Sequence, residues 1–181
     1  MSLLIIDTNV RHDLVEGEYA RRRSACRTAA AALGVTALRD VSEADLRRNR
    51  EKLSEEELRC ARHVVTEIAR TEEAARALAA SEWGRVAVLM YESHASLRDD
   101  FRVSCPELDF VVDTARQLDG VQGCRMTGGG FGGCAVALVR TDRTESVKRD
   151  LAAAYVRKTG REPALFVTRP ADGAAVVLER R

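Results

Sequence analysis

The chain has 181 residues, 45% hydrophobic and 31% charged, with a formal net charge of +1. That is length enough for one well-buried domain of ordinary globular composition, and the near-neutral balance implies no general attraction to nucleic acid or to a membrane surface. No apolar run approaches the roughly 18 residues of a membrane span, and no charged-then-apolar leader is read at the start.

Leu3-Leu4-Ile5-Ile6 is a short apolar run ended by Asp7-Thr8-Asn9, and it reads as a buried strand. Val10 to Glu18 reads as a polar linker containing Gly17. A helix is predicted from about Glu18 to Leu33, with Ala25, Cys26, Ala29, Ala32 and Leu33 at helical spacing and Gly34 at its C′ position. Arg21, Arg22 and Arg23 lie in one turn and read as a solvated basic face rather than an anion site.

Ser42-Glu43-Ala44-Asp45 and Ser54-Glu55-Glu56-Glu57 match the capping-box pattern. The second opens a helix over roughly 55–79, with Leu58, Ala61, Val65, Ile68, Ala75 and Leu78 as its apolar stripe and His63 beside it. Ser81 reads as the cap of a further helix, in which Trp83, Val86, Met90, His94, Leu97 and Phe101 recur at steps of three and four. His94 reads as a hydrogen-bonded core histidine in preference to a base. Asp99 and Asp100 are adjacent on a helix, point about 100° apart, and so do not face one ion.

Ser104-Cys105-Pro106-Glu107 reads as another capping box with proline in the first turn. Leu108, Val111, Val112, Ala115 and Leu118 follow as a buried face, and Asp119-Gly120 ends the helix. A short strand is expected near Cys124 to Thr127, then a glycine loop, then a strand from Cys134 to Val139. Asp142 reads as the cap of a helix that stops at Gly160; Pro163 to Val167 reads as a strand, Asp172-Gly173 as a turn and Ala174 to Leu178 as a last strand. The order predicts an α+β fold, with helices on one face of a mainly antiparallel sheet. The five cysteines, Cys26, Cys60, Cys105, Cys124 and Cys134, fit no zinc or redox spacing and read as free thiols in a reducing cytoplasm.

The glycine loop is the most informative stretch. Gly128, Gly129, Gly130, Gly132 and Gly133 place five glycines in six residues, so the backbone there must turn tightly or approach something closely. Backbone N–H groups in such a loop can surround an anion. Gly128-x-Gly130-x-x-Gly133 fits the dinucleotide pattern, but a strand follows where that pattern needs a helix, and the Lys-Ser/Thr of a P-loop is missing.

Arg125-Met126-Thr127-Gly128-Gly129-Gly130-Phe131-Gly132-Gly133-Cys134 resembles the third signature motif of the galactokinases, within the GHMP family of small-molecule kinases. Glu92 to Phe101 with Ser104 to Asp109, Asn9-Val10-Arg11-His12, and Glu18 to Arg23 resemble the same family in the same order. The resemblance implies a ferredoxin-like α/β sandwich, the GHMP C-terminal domain, over residues 1–181. Within it, 1–17 would be a strand and linker continuous with an N-terminal domain. The activity implied is transfer of the ATP γ-phosphoryl group to the 1-hydroxyl of α-D-galactose, with Mg²⁺.

By the same resemblance Tyr19 is a sugar-binding phenol. Gly128, Gly129, Gly130, Phe131 and Gly132 form the wall beside the phosphates, where a Cβ at Gly129 or Gly130 would intrude on phosphate or on the facing loop. The family's sugar signature, phosphate loop and catalytic Asp and Arg have no counterpart in this sequence. No catalytic or metal-binding residue is therefore assigned to this chain, and it is expected to be inactive and to bind neither ATP nor Mg²⁺ tightly alone. A galactose-responsive regulator or interaction domain, and one subunit of a split sugar kinase, are the alternatives. N-acetylgalactosamine is the nearest competing sugar. The Leu3–Ile6 strand is expected to lack a neighbour, leaving an apolar face that promotes self-association.

Overall fold

In the computed structural model, which describes residues 1–11, 15–169 and 171, strand β1 (Ser2–Arg11) is followed by helices α1 (Val15–Ala32), α2 (Glu43–Arg48), α3 (Glu55–Ala79), α4 (Trp83–Asp99) and α5 (Pro106–Gln117). Strands β2 (Val121–Thr127) and β3 (Gly132–Val139), helix α6 (Thr144–Thr159) and strand β4 (Ala164–Thr168) complete the described chain. The expected turn at Asp172-Gly173 and strand at Ala174–Leu178 lie outside the described residues. All three strand pairings are antiparallel and the spatial order is β2-β3-β1-β4. This is the split βαβ arrangement of a ferredoxin-like sandwich, with the first crossover enlarged to five helices.

The first strand departs from the sequence reading in two ways. It does not stop at Asp7. It bulges between Asp7 and Arg11 and resumes against Gly132. Asn9 takes φ 53° there, its N–H bonded to Asp7 Oδ1 at 2.9 Å, while Thr8 Oγ1 donates to the Gly133 carbonyl at 2.8 Å. Polar residues thus carry the bulge instead of ending the strand. Nor does β1 lack a neighbour, for it lies between β3 and β4, with Leu4 and Ile6 fully buried. The reading of an unpaired Leu3–Ile6 flank is therefore corrected. Helix α1 begins at Val15, so Gly17 belongs to the helix and not to a linker.

One face of the sheet is covered by α5 and α6. Leu108, Val111, Val112 and Ala115 of α5 meet Val147, Leu151 and Tyr155 of α6 over Leu4, Ile6, Met126, Ala135 and Ala137. The Tyr155 hydroxyl donates to the Thr8 carbonyl at 2.9 Å, which satisfies the polar end of a fully buried ring. Helix α4 lies against β2 so closely that a Cβ on Gly123 would stand 2.8 Å from the Ala87 Cα. The same helix, with α3, reaches the second face at Leu138, which packs with Ala77 and Val86. A separate helical core joins α1, α2 and α3 through Ala29, Ala30, Leu46, Ala61 and Val65.

Both predicted capping boxes form, Ser42 with Asp45 and Ser54 with Glu57, and α3 spans Glu55–Ala79. Three other cap readings fail. Glu82, not Ser81, precedes α4, and Cys105 precedes α5. Asp142 sits in a 3-10 turn paired with Arg140, ahead of α6. In each case the side chain expected to cap is taken by another partner or the backbone turns first. Ser104 Oγ, for example, donates to Asp109 Oδ1 at 2.6 Å.

Candidate functional site

The glycine loop joins β2 to β3 as a tight connection. Gly130 has φ 90°, and Phe131 is held in the left-handed region at φ 58°. A Cβ on Gly130 would stand 2.2 Å from the Val103 carbonyl oxygen and 2.7 Å from the Val103 Cβ, so only glycine fits against that segment. Gly129 is the opposite case, because a Cβ there would meet nothing within 4 Å. A Cβ at Gly130 would therefore meet the facing 101–103 segment, whereas one at Gly129 would meet none of the described residues. Gly129 faces open space, as does the Cβ direction of Gly128.

Both ends of the loop are pinned. On the β2 side, the Met126 N–H donates to His94 Nδ1 at 3.2 Å. This leaves Nε2–H to donate to Asp109 Oδ1 at 3.1 Å. Burial pushes the Asp109 carboxyl up, but hydrogen bonds from His94 and Ser104 outweigh it and hold the group below the usual carboxylate range. His94 is thus a buried histidine with both ring nitrogens engaged. The next link is Arg125, whose Nε donates to the Met126 carbonyl at 3.0 Å and whose Nη1 pairs with Glu67 Oε1 at 3.2 Å. Glu67 is pushed up by burial, yet hydrogen bonds from Ser93 and Arg70 and the Arg125 charge hold it below the ordinary value.

On the far side, the Phe131 N–H donates to the Val103 carbonyl at 2.6 Å. Val103 follows Arg102, another non-glycine residue at positive φ, 55°. The Phe101 and Arg102 carbonyls in turn accept from Arg22 of α1, Nε at 2.6 Å and Nη2 at 3.4 Å. Arg22 is 8% exposed and its charge is met by Glu18 and Glu56, each at 3.1 Å. Tyr19 stands three residues earlier on the same helix, 60% exposed. Tyr19 and the loop are therefore connected through Arg22 and the 101–103 segment, with no hydrogen bond directly between them among the described residues.

The basic-face reading fails at Arg22. Arg21 does point outward, with 61% of its side chain exposed, and pairs with Glu56 at 2.8 Å. Arg22 instead continues the buried stripe of α1, since 22, 26 and 29 follow the i, i+4, i+7 rule. That spacing was the available signal, and the run of three arginines masked it. Asp99 and Asp100 diverge as expected, to Arg98 and Arg62 respectively.

With this geometry in place, the comparisons are specific. The family of GHMP kinase C-terminal domains matches residues 74–157. The chain is 47% identical over 176 residues to a galactokinase of Streptomyces coelicolor, covering 96% of this chain and 45% of that protein. It is 45% identical to the Homo sapiens galactokinase, covering 98% of this chain and 44% of that one. A crystal structure of Lactococcus lactis galactokinase complexed with galactose superposes with a TM-score of 0.88 at 33% identity, covering 92% of this chain and 44% of that one. Residues 74–157 thus carry the GHMP kinase C-terminal family. Within that family the chain's similarity is to the galactokinases, and it spans a little under half the length of the relatives it matches.

Proposed function

We propose that this chain supplies the C-terminal domain of an ATP-dependent kinase that phosphorylates galactose at its 1-hydroxyl. The observation that carries the reading is the 47% identity to a galactokinase over 96% of the chain. It is supported by a glycine loop whose Gly129 faces open space while its neighbour Gly130 is locked against Val103. In this reading the open backbone at Gly128 and Gly129 lies beside the transferring phosphates, where bulk would intrude. The exposed Tyr19 phenol donates to and accepts from sugar hydroxyls. Phosphoryl transfer depends chiefly on positioning and charge stabilisation, and both groups sit on well-anchored elements. Among the described residues no three His, Cys, Asp or Glu side chains gather as a metal centre. In this reading Mg²⁺ accompanies the nucleotide.

The test joins this chain to the N-terminal part of the Streptomyces coelicolor galactokinase and follows galactose 1-phosphate by mass spectrometry with Mg-ATP. Product from the joined protein, none from the 181-residue chain alone, and loss of product in Gly129→Trp are expected. A folded joined protein without product, or one indifferent to Gly129→Trp, overturns the reading. Product from the chain alone would contradict the inactivity expected of it.

A further inference from the structure

We infer that Arg22 is a positioning residue, a buried guanidinium that fixes the glycine loop relative to the helix carrying Tyr19. The inference rests on the functional reading above for what is being positioned, but the linkage itself is geometric. Helix α1 is tied to the loop by three consecutive contacts. Arg22 holds the Phe101 and Arg102 carbonyls, Val103 follows directly in the chain, and the Val103 carbonyl accepts from Phe131 inside the loop. Arg102 and Phe131 both stand at positive φ without being glycines. Such conformations persist where the surroundings over-determine them, and here Arg22 supplies one side of that constraint.

The arrangement uses what distinguishes arginine from lysine. Its planar fork reaches two carbonyls and two carboxylates at once, and all four partners are present: Phe101, Arg102, Glu18 and Glu56. Glu56 comes from α3, so the same group also sets the spacing of α1 and α3. A hydrogen bond from Arg21, helped by the Arg21 and Arg22 charges, holds the Glu56 carboxyl below the usual carboxylate range. A residue one position away, Arg21, shares Glu56 but touches neither carbonyl, and so serves as an internal control. If Tyr19 holds the acceptor sugar and the loop flanks the phosphates, Arg22 sets their separation, and small errors in such a separation are expensive in rate.

The first experiment is native-state hydrogen exchange of the 181-residue chain, read at the Phe131 amide against Val111 and Val112 of α5. Arg22→Gln is expected to speed exchange at Phe131 by about tenfold or more relative to α5, as local opening is released from the rest of the fold. Arg22→Lys is expected to give a smaller increase and Arg21→Gln none. Unchanged Phe131 exchange in Arg22→Gln, or a change equal to that at Val111 and Val112, overturns the inference. Should the glutamine variant not fold, Arg22→Lys decides by the same ratio. In the joined kinase, Arg22→Lys should lower kcat about tenfold while Arg21→Gln leaves it unchanged. A joined wild-type protein without activity would defeat the functional reading and leave the exchange result intact.

Discussion

Replacing Gly130 by alanine places a methyl group where the structure leaves no room. The new Cβ would lie 2.2 Å from the Val103 carbonyl oxygen, 2.7 Å from its Cβ and 3.0 Å from the Met126 Cε. The methionine tip can move. The carbonyl is backbone and is already committed to Phe131 at 2.6 Å. Two penalties combine. An L-residue in the left-handed region costs about 1–2 kcal/mol, and forcing a packed segment apart costs about 1–3 kcal/mol. A destabilisation of about 3 kcal/mol is therefore expected. Gly129→Ala provides the contrast, because its Cβ meets open space and its φ is not in the left-handed region; its effect should stay within about 0.5 kcal/mol. Urea unfolding, followed together by far-UV circular dichroism and Trp83 fluorescence, measures both. If the two variants unfold within about 0.5 kcal/mol of each other, the packing of the loop against Val103 is not what the geometry says it is.

Three further outcomes follow from buried groups. His63, stacked 4.4 Å from Phe101 and bonded to Ser96 Oγ at 3.0 Å, has its pKa lowered to about 4, mainly by burial. The unfolded chain takes up this proton below about pH 6.5 and the folded chain refuses it, so this contribution is complete above pH 6.5. It should diminish by about 3 kcal/mol as pH falls to 4 and level off below that; urea titrations of wild type and His63→Gln across this range isolate it. His94→Ala strips the Met126 N–H and Asp109 of their partner and opens a cavity, and a loss of about 3 kcal/mol in the same assay is expected; a loss under about 1 kcal/mol would contradict its anchoring role. Cys124 is fully buried, its thiol pushed up to about 12 by that burial, so iodoacetamide at pH 8 should spare it in the native chain and label it in urea, as peptide mass spectrometry will show.

The helices and strands that rely on local rules were legible in the sequence. Ser54 with Glu57 announced α3, Gly34 and Gly160 ended α1 and α6, and an unbroken apolar run marked β3. What escaped was set by partners distant in sequence. Asp7, Thr8 and Asn9 look like a strand breaker, yet they form a bulge because Gly132 and Gly133 lie opposite. Ser104 looks like a cap, yet its hydroxyl is taken by Asp109 in competition with the backbone. At the candidate site, the glycine cluster and Tyr19 were visible by resemblance. The division of labour between Gly129 and Gly130 was not, because it depends on a carbonyl some 27 residues earlier in the chain. Arg22 was hidden in the same way, its carbonyl partners lying on another helix end.

The position of β1 also constrains how the chain can fold. Its partners are β3 and β4, so Leu3 must wait for Leu138 on one side and Thr168 on the other. The α1–α3 cluster needs no such delay, since its members come from residues 29–65. Contacts of large sequence separation form slowly, and a strand awaiting them is exposed to wrong pairings as the chain emerges from the ribosome. The helical layer can therefore assemble during synthesis, while the sheet closes only once β4 has followed. Trimming the first ten residues would not shorten a tail but would remove an inner stave, parting β4 from β3.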